Sequence, residues 1–488
     1  MLEDGGLSLF PPLDRHGPVI PLRLPPQTRV VMRQPLLSLL VFVTMVLAVT
    51  PAAAQQAEVA GYRQAADRII TAALADSSAW NRLAEMADSY GPRLSGSANL
   101  EQAIDWMLGM MTKDSLDRVR GEPVMVPHWV RGAESVTLIE PRISNLAMLG
   151  LGGSVGTPAG GITAEVLVVS SFDELKARAA EARGKIVLFD VPFTNYGATV
   201  QYRVNGAVEA ARVGALASLI RSVGPVSLNT PHTGVMRYDS TVTRIPAAAL
   251  TLEGAAMLHR MQHRGQRVVV RLEMAAQMLP DAPSRNVVSE LRGRESPEQV
   301  VVMGGHIDSW DVGQGAVDDG GGVVVAWEAL RVLRRLGLTP RRTIRVVGWT
   351  NEENGSQGGL AYRDQNSDAG RNHLLAIESD GGVFAPSGWG FTGGDSARAI
   401  IQAVANLLEA VGANQVRAAG GGADIGPIMQ QGVPGLSHVV DGTRYFWYHH
   451  THADTMDKLD PREMAMNVAA MAVMAYVVAD LPEPLPRH

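Results

Sequence analysis

The chain has 488 residues, 46% of them hydrophobic and 19% charged, with 43 Lys and Arg against 49 Asp and Glu for a formal net charge of -6. That length suits two domains, or one large domain carrying an insert, and the composition provides ample core. The mild acidity leaves no basic footprint for nucleic acid, and the absence of cysteine excludes disulfides, thiolate metal sites, thiol catalysis and a lipidated cysteine anchor.

Residues 1–31 are polar and proline-rich and read as an over-extended start, with Met32 as the initiator. Arg33, an apolar run from Leu36 to Val49, and Ala52-Ala53-Ala54 before Gln55 make the pattern of a secretory signal peptide over 32–54. The run is shorter than the ~20 residues of a membrane span. The expectation is therefore export, periplasmic or secreted, with no stable membrane span after cleavage. A cysteine-free exported protein suits a bacterial envelope.

From Tyr62 to about Met111, apolar residues spaced by three and four predict helices broken at "YGPRLSGS". Strand-like "EPVMVPHWV" and "SVTLIEP" follow, then a glycine-rich "MLGLGGSVGTPAGG" that reads as a linker. Alternating strand and helix patterns predict a compact α/β unit over 144–277, inserted between a first part of the main domain, 55–143, and its core, 278–488. In that core "EQVVVMGG" runs into His306, "RTIRVVGWT" into Asn351-Glu352-Glu353-Asn354-Gly355, and "HLLAIES" into Asp380. Open α/β sheets bind ligands beyond the carboxyl ends of their strands, so these clusters are expected to converge at one sheet edge.

"GGHIDSWDVGQGAVDDGGG", Gly304 to Gly322, places one His and four Asp among seven glycines. Adjacent carboxylates such as Asp318-Asp319 and Glu352-Glu353 repel unless a cation or a shared proton relieves them. "YHHTHADTMDKL" adds His449, His450, His452 and Asp454. Oxygen and imidazole donors without thiolate favour borderline divalent metals, zinc first, with cobalt or manganese as substitutes. The number of acids points to two ions, which clamp a water and polarise a carbonyl in two-metal hydrolases, with one carboxylate kept free as general base. Asp319 is expected to cap the helix that begins in "GGGVVVAWEALRVLRRLG", and the helical spacing of Val323, Trp327, Leu330 and Leu333 makes Trp327 core.

The stretches "GGHIDSWDVGQGAVDDGGG", "NEENG", "ESDGG" and "YHHTHADTMDKL", in this order, resemble the motifs of the M28 family of di-zinc peptidases, over a span from "YGPRLSGS" to the C-terminal end. The resemblance implies a mixed-sheet zinc-exopeptidase α/β domain in which the unit over 144–277 is similar to an inserted protease-associated domain. It implies two Zn2+ per chain, with His306 and Asp380 on one, Glu353 and His450 on the other and Asp318 bridging them. Glu352 would be the catalytic base, and Asp308 the carboxylate that orients His306.

The substrate implied is a dipeptide or short peptide, and the assembly a homodimer. Where many members carry Tyr before the last histidine ligand, this chain has His449, either the oxyanion donor in its place or a residue leaving that task to zinc. Asp424 in "GGGADIGPI" is a candidate for a substrate amino group, and Arg444 in "DGTRYFWYHH" for a carboxylate. Aminopeptidase, carboxypeptidase and dipeptidase selectivity stay open, as does hydrolysis of another amide. A non-catalytic scaffold would be marked by lost ligands, and all five ligands and the base are present.

Overall fold

The computed structural model describes residues 58–487; the expected start and signal peptide, 1–31 and 32–54, lie outside the described residues. Two eight-stranded sheets organise the chain. The first runs in the order Asp117–Val130, Gln277–Leu291, Arg342–Trp349, Ser296–His306, His373–Glu378, Gly435–Val440, Pro386–Thr392, Val416–Ala418. Its four central strands, from Arg342–Trp349 to Gly435–Val440, are mutually parallel, and antiparallel strands flank them.

Parallel strands are buried on both faces and so read as continuous apolar runs. In Ser296–His306, Val301 and Met303 face one core while Val300 and Val302 face the other. The larger core is covered by helices Arg63–Leu74, Ser78–Tyr90, Ala98–Lys113, Gly321–Arg335, Asp395–Ala405 and Pro461–Asp480. Trp327 is fully buried there and donates from Nε1 to Asp114 at 2.9 Å. Among the described residues, Pro461–Asp480 is the helix long and apolar enough to cross a membrane, but it is buried against helices Gly321–Arg335 and Arg63–Leu74. It is a core helix.

The second sheet runs Ser144–Leu146, Glu134–Glu140, Val269–Met274, Ile162–Val169, Ile186–Phe189, Ala217–Arg221, Ala247–Leu250, Met148–Gly150. It therefore begins at Glu134 rather than at the expected residue 144. Glu134–Glu140 pairs antiparallel with Val269–Met274, and its alternating Val136 and Leu138 belong to that sheet's core. The glycine-rich stretch is not a linker either: Met148–Gly150 is an edge strand paired with Ala247–Leu250, and Gly152 bridges to Val235.

Candidate metal centre

Strand Ser296–His306 has its first successor, Arg342–Trp349, on one side and the next, His373–Glu378, on the other. Strand order reverses there, which opens a crevice beyond the carboxyl ends. His306 ends the first strand, Glu352 and Glu353 follow the second, and Asp380 follows the third. The loop after Gly435–Val440 returns His449 and His450 to the same edge.

Backbone packing makes this convergence tight. A Cβ on Gly305 would stand 2.2 Å from Asp319 Oδ2, so only glycine lets that carboxylate approach. Asp319 accepts from His306 N–H at 3.1 Å and from Gly322 N–H, in the first turn of Gly321–Arg335, at 3.2 Å. It ties the strand end to the helix start. The Asp318-Asp319 peptide is cis.

His306 Nδ1 lies 2.9 Å from the Asp308 carbonyl, a contact that leaves Nε2 free as a ligand atom. That Nε2 sits 3.2 Å from Asp318 Oδ1 and 3.5 Å from Asp380 Oδ1. The other Asp318 oxygen, Oδ2, lies 3.4 Å from His450 Nε2, which is 3.0 Å from Glu353 Oε2. One carboxylate thus faces two donor groups. His306 Nε2, Asp318 Oδ2, Glu353 Oε1 and Asp380 Oδ1 are buried without a hydrogen-bond partner among the described residues, as a cation-binding set requires. The ligand atoms of His306, Asp318 and Asp380 lie within 4.8 Å of one another, and so do those of Asp318, His449 and His450. The residues fit divalent metal.

Electrostatics describe the same need. Burial, then the neighbouring carboxylates, push Glu352 up to about 8 and Glu353 well above the usual range. Burial opposes charge on His306, but its contacts with Asp318 and Asp380 outweigh that and raise it. His450 is driven down by burial, then by His449 and Arg203, and so is available as a neutral ligand. Glu352 faces a cavity of ≈ 600 Å³ also lined by Asp318, Glu353, Asp380, Tyr445 and His449.

Three expected roles meet a different geometry. The Asp308 carboxylate is 3.7 Å from His306 Nδ1; it is the Asp308 carbonyl that contacts the ring, while the carboxylate accepts from Glu352 and Glu353 N–H at 3.1 and 3.3 Å. It therefore secures the turn carrying the acid pair. Asp424 is fully buried outside the cavity lining, with both carboxylate oxygens unpartnered among the described residues and its N–H donating to Glu378. Its segment is drawn inward because Gly422 packs directly on the Glu378 carboxyl. Arg444 lies over the Phe384 ring, 4.9 Å from its centroid, and does not line the cavity.

His449 does reach the site, 3.7 Å from Asp318 Oδ2 and stacked on His450 with centroids 3.5 Å apart. Burial brings it down to about 3, so it is neutral. His452 is exposed.

Sequence reasoning named Asp454 without a role and missed three further residues. Tyr445 lines the cavity together with Asp318; its spacing of four from His449 on a short helical turn was the available signal. Asp454 accepts from the N–H groups of Ala316, Val317 and Asp318 at 2.9, 2.6 and 3.1 Å and so fixes the loop that carries Asp318. Buried Arg93, in "YGPRLSGS", donates to the carbonyls of Ile307, Gln314 and Gly315. Arg203, from the second-sheet unit, places Nη1 3.4 Å from His450 Nδ1. No local pattern marks these last two.

Two clusters of carboxylate and imidazole atoms that meet at Asp318, at the switch point of a mixed α/β sheet, fit a metal-dependent hydrolase, and the relatives make that hydrolase a metallopeptidase. The chain belongs to peptidase family M28, whose model, described as Peptidase family M28, matches residues 286–475. Carboxypeptidase Q of Bos taurus is 52% identical over 433 residues, 88% of this chain and 92% of that protein. Carboxypeptidase Q of Homo sapiens is 51% identical with the same coverage. The crystal structure of a Peptidase M28 precursor from Shewanella amazonensis SB2B superposes with a TM-score of 0.84 at 35% identity, covering 88% of this chain and 99% of that one. A zinc aminopeptidase from Bacillus subtilis shares the fold, with a TM-score of 0.62 at 19% identity over 84% and 98% of the two chains.

Proposed function

We propose that the chain is an exported two-zinc exopeptidase hydrolysing dipeptides or short peptides, with Glu352 as the general base. The observation that carries this reading is Asp318, whose two oxygens face His306 and His450 respectively, with the Glu352 carboxylate opening on the same cavity. His306 and Asp380 would hold one ion, Glu353 and His450 the other, and Asp318 both. Zinc so bound, or cobalt or manganese in its place, supplies Lewis acidity toward the scissile carbonyl and toward water.

Glu352 accepts a proton from the attacking water as the C–O bond forms, and delivers it to the leaving nitrogen as the C–N bond breaks. The Tyr445 hydroxyl and a His449 N–H are the donors available to the developing oxyanion. Asp308 holds the backbone N–H groups of Glu352 and Glu353 and so keeps base and ligand in register. The likeness to carboxypeptidase Q supports peptide substrates, and export rests on residues 32–54.

The test is hydrolysis of a free dipeptide by the metal-loaded protein before chelation, after it, and after zinc return. Zinc-reversible cleavage is expected. Glu352→Gln should retain zinc yet lose turnover by about 10²–10⁴-fold. Wild-type turnover in Glu352→Gln removes the base assignment, and no cleavage of any peptide by zinc-bound protein removes the peptidase reading.

A further inference from the structure

Most of the metal centre is held by residues around the first sheet. His306 is fixed by the Asp308 carbonyl, Asp318 by Asp454, and the turn of Glu352 and Glu353 by the Asp308 carboxylate. His450 is held differently. Its backbone is left-handed, with φ at 61°, a conformation that a non-glycine residue keeps only where its surroundings impose it. Those surroundings come from the second-sheet unit.

Thr233 of that unit is fully buried and grips His450 at two points. Its N–H donates to the His450 carbonyl at 2.9 Å, and its carbonyl lies 3.3 Å from His450 Nδ1. A carbonyl only accepts, so Nδ1 carries the ring hydrogen and Nε2 presents its lone pair. That Nε2 lies 3.0 Å from Glu353 and 3.4 Å from Asp318. A ring so oriented is ready to bind a cation.

Thr233 is anchored within its own unit. Its hydroxyl donates to the Gly150 carbonyl at 2.8 Å, and Arg203 Nη1 donates at 3.3 Å to the carbonyl that His450 also uses. Arg203 Nη2 donates to the Tyr196 hydroxyl at 2.8 Å, which ties helix Tyr196–Arg212 to the Thr233 segment. A Cβ on Gly234 would stand 2.3 Å from Arg203 Nη1, so glycine lets the guanidinium lie there. Ring contacts add to the grip: Tyr196 meets His449 edge-on with centroids 5.2 Å apart, and His449 stacks on His450. Neither His306 nor Asp380 has a hydrogen bond or ion pair to this unit among the described residues.

We propose that the second-sheet unit is a working part of the metal centre: Thr233, steadied by Arg203, sets the tautomer and aim of His450, so that the ion shared by His450 and Glu353 is held tightly only while this unit is docked. Thr233 and Arg203 are positioning residues. Linkage is reciprocal, so that ion strengthens docking by the same factor. This rests on the two-zinc reading above and adds which ion the inserted unit controls.

The test is stepwise zinc binding by the full chain in competition with a chelator. Wild type should bind two ions. Thr233→Val, which keeps the side-chain shape without its hydroxyl, and Arg203→Met should each weaken one ion by about 10- to 100-fold and leave the other unchanged. Thr233→Ser should restore it. In His450→Ala, adding Thr233→Val should have no further effect, because the ligand that it positions is gone. Leu188→Ala, in the core of the second sheet, should lower Tm without changing either affinity. Hydrogen exchange in wild type needs no variant: the Thr233 amide, which donates to His450, should exchange more slowly with two zinc ions bound than after chelation. Unchanged affinities in both Thr233→Val and Arg203→Met, loss of both ions together, an equal loss in Leu188→Ala, or Thr233 exchange indifferent to zinc overturns the proposal and leaves the two-zinc reading standing. A wild type that binds fewer than two ions removes that reading, and the proposal with it.

Discussion

Asp318 offers an oxygen to each half of the centre, and its usefulness depends on being held still. Asp454 supplies that restraint by accepting three consecutive backbone N–H groups, the last from Asp318 itself. Asp454→Asn keeps the shape but turns part of this acceptor into a donor, leaving buried N–H groups unpaired. Loss of such outer support typically weakens metal binding by about 10–100-fold, and chelator competition on the purified variant should show a shift of that size. Full wild-type affinity would make Asp454 dispensable. His306, Glu352, Glu353 and Asp380 are recognisable from sequence because each directly follows a β-branched run. The roles of Asp454 and Arg93 are not, since their partners are backbone groups of loops whose path no side-chain pattern reports.

Among the elements, the connection 148–161 shows what a glycine-rich run can conceal. Glycines there serve close packing: a Cβ on Gly152 would fall 2.1 Å from the Trp310 ring, and Trp310 packs against His450 with centroids 5.4 Å apart. Arg131, hydrogen-bonded to the Gly150 carbonyl, also pairs with Asp311 beside Trp310. The second-sheet unit is therefore seated on the loop between His306 and Asp318. Gly152→Val should cost about 1–3 kcal/mol by overpacking, read as a lower Tm, and should weaken zinc binding as Trp310 shifts against His450. Unchanged Tm and zinc affinity would show that the seat is yielding. From sequence alone a flexible spacer and a packed glycine contact look the same, because what excludes a side chain is an atom more than a hundred residues away.

For the molecule as a whole, the centre makes stability depend on bound cations and on pH. Burial first, then neighbouring acids, raise Glu352 to about 8 and Glu378 to about 7, and burial raises Asp454 to about 7. The folded, metal-free chain thus holds protons on carboxylates that the unfolded chain has already released. Protonation favours the fold below the unfolded carboxylate range, and that contribution is lost as pH rises through the folded values. Above about pH 6.5 histidines that are buried neutral no longer oppose the trend. The chelated protein should therefore show a falling Tm between about pH 6.5 and about pH 8.5, and zinc return should remove most of the fall by mass action. A Tm that rises over this window without metal would contradict the raised carboxylates.

Periodicity and the position of acids after apolar strands were enough to establish an α/β chain with a metal-type centre, because both are local properties of sequence. Pairing across the sheets was needed for the rest. It placed Glu134–Glu140 in the second sheet, withdrew Asp424 and Arg444 from the cavity, transferred the support of His306 from the Asp308 carboxylate to its carbonyl, and brought Tyr445, Arg203 and Arg237 to the cavity. Those outcomes depend on which distant backbones lie side by side and how closely they pack, and contacts of that kind leave no period along the chain.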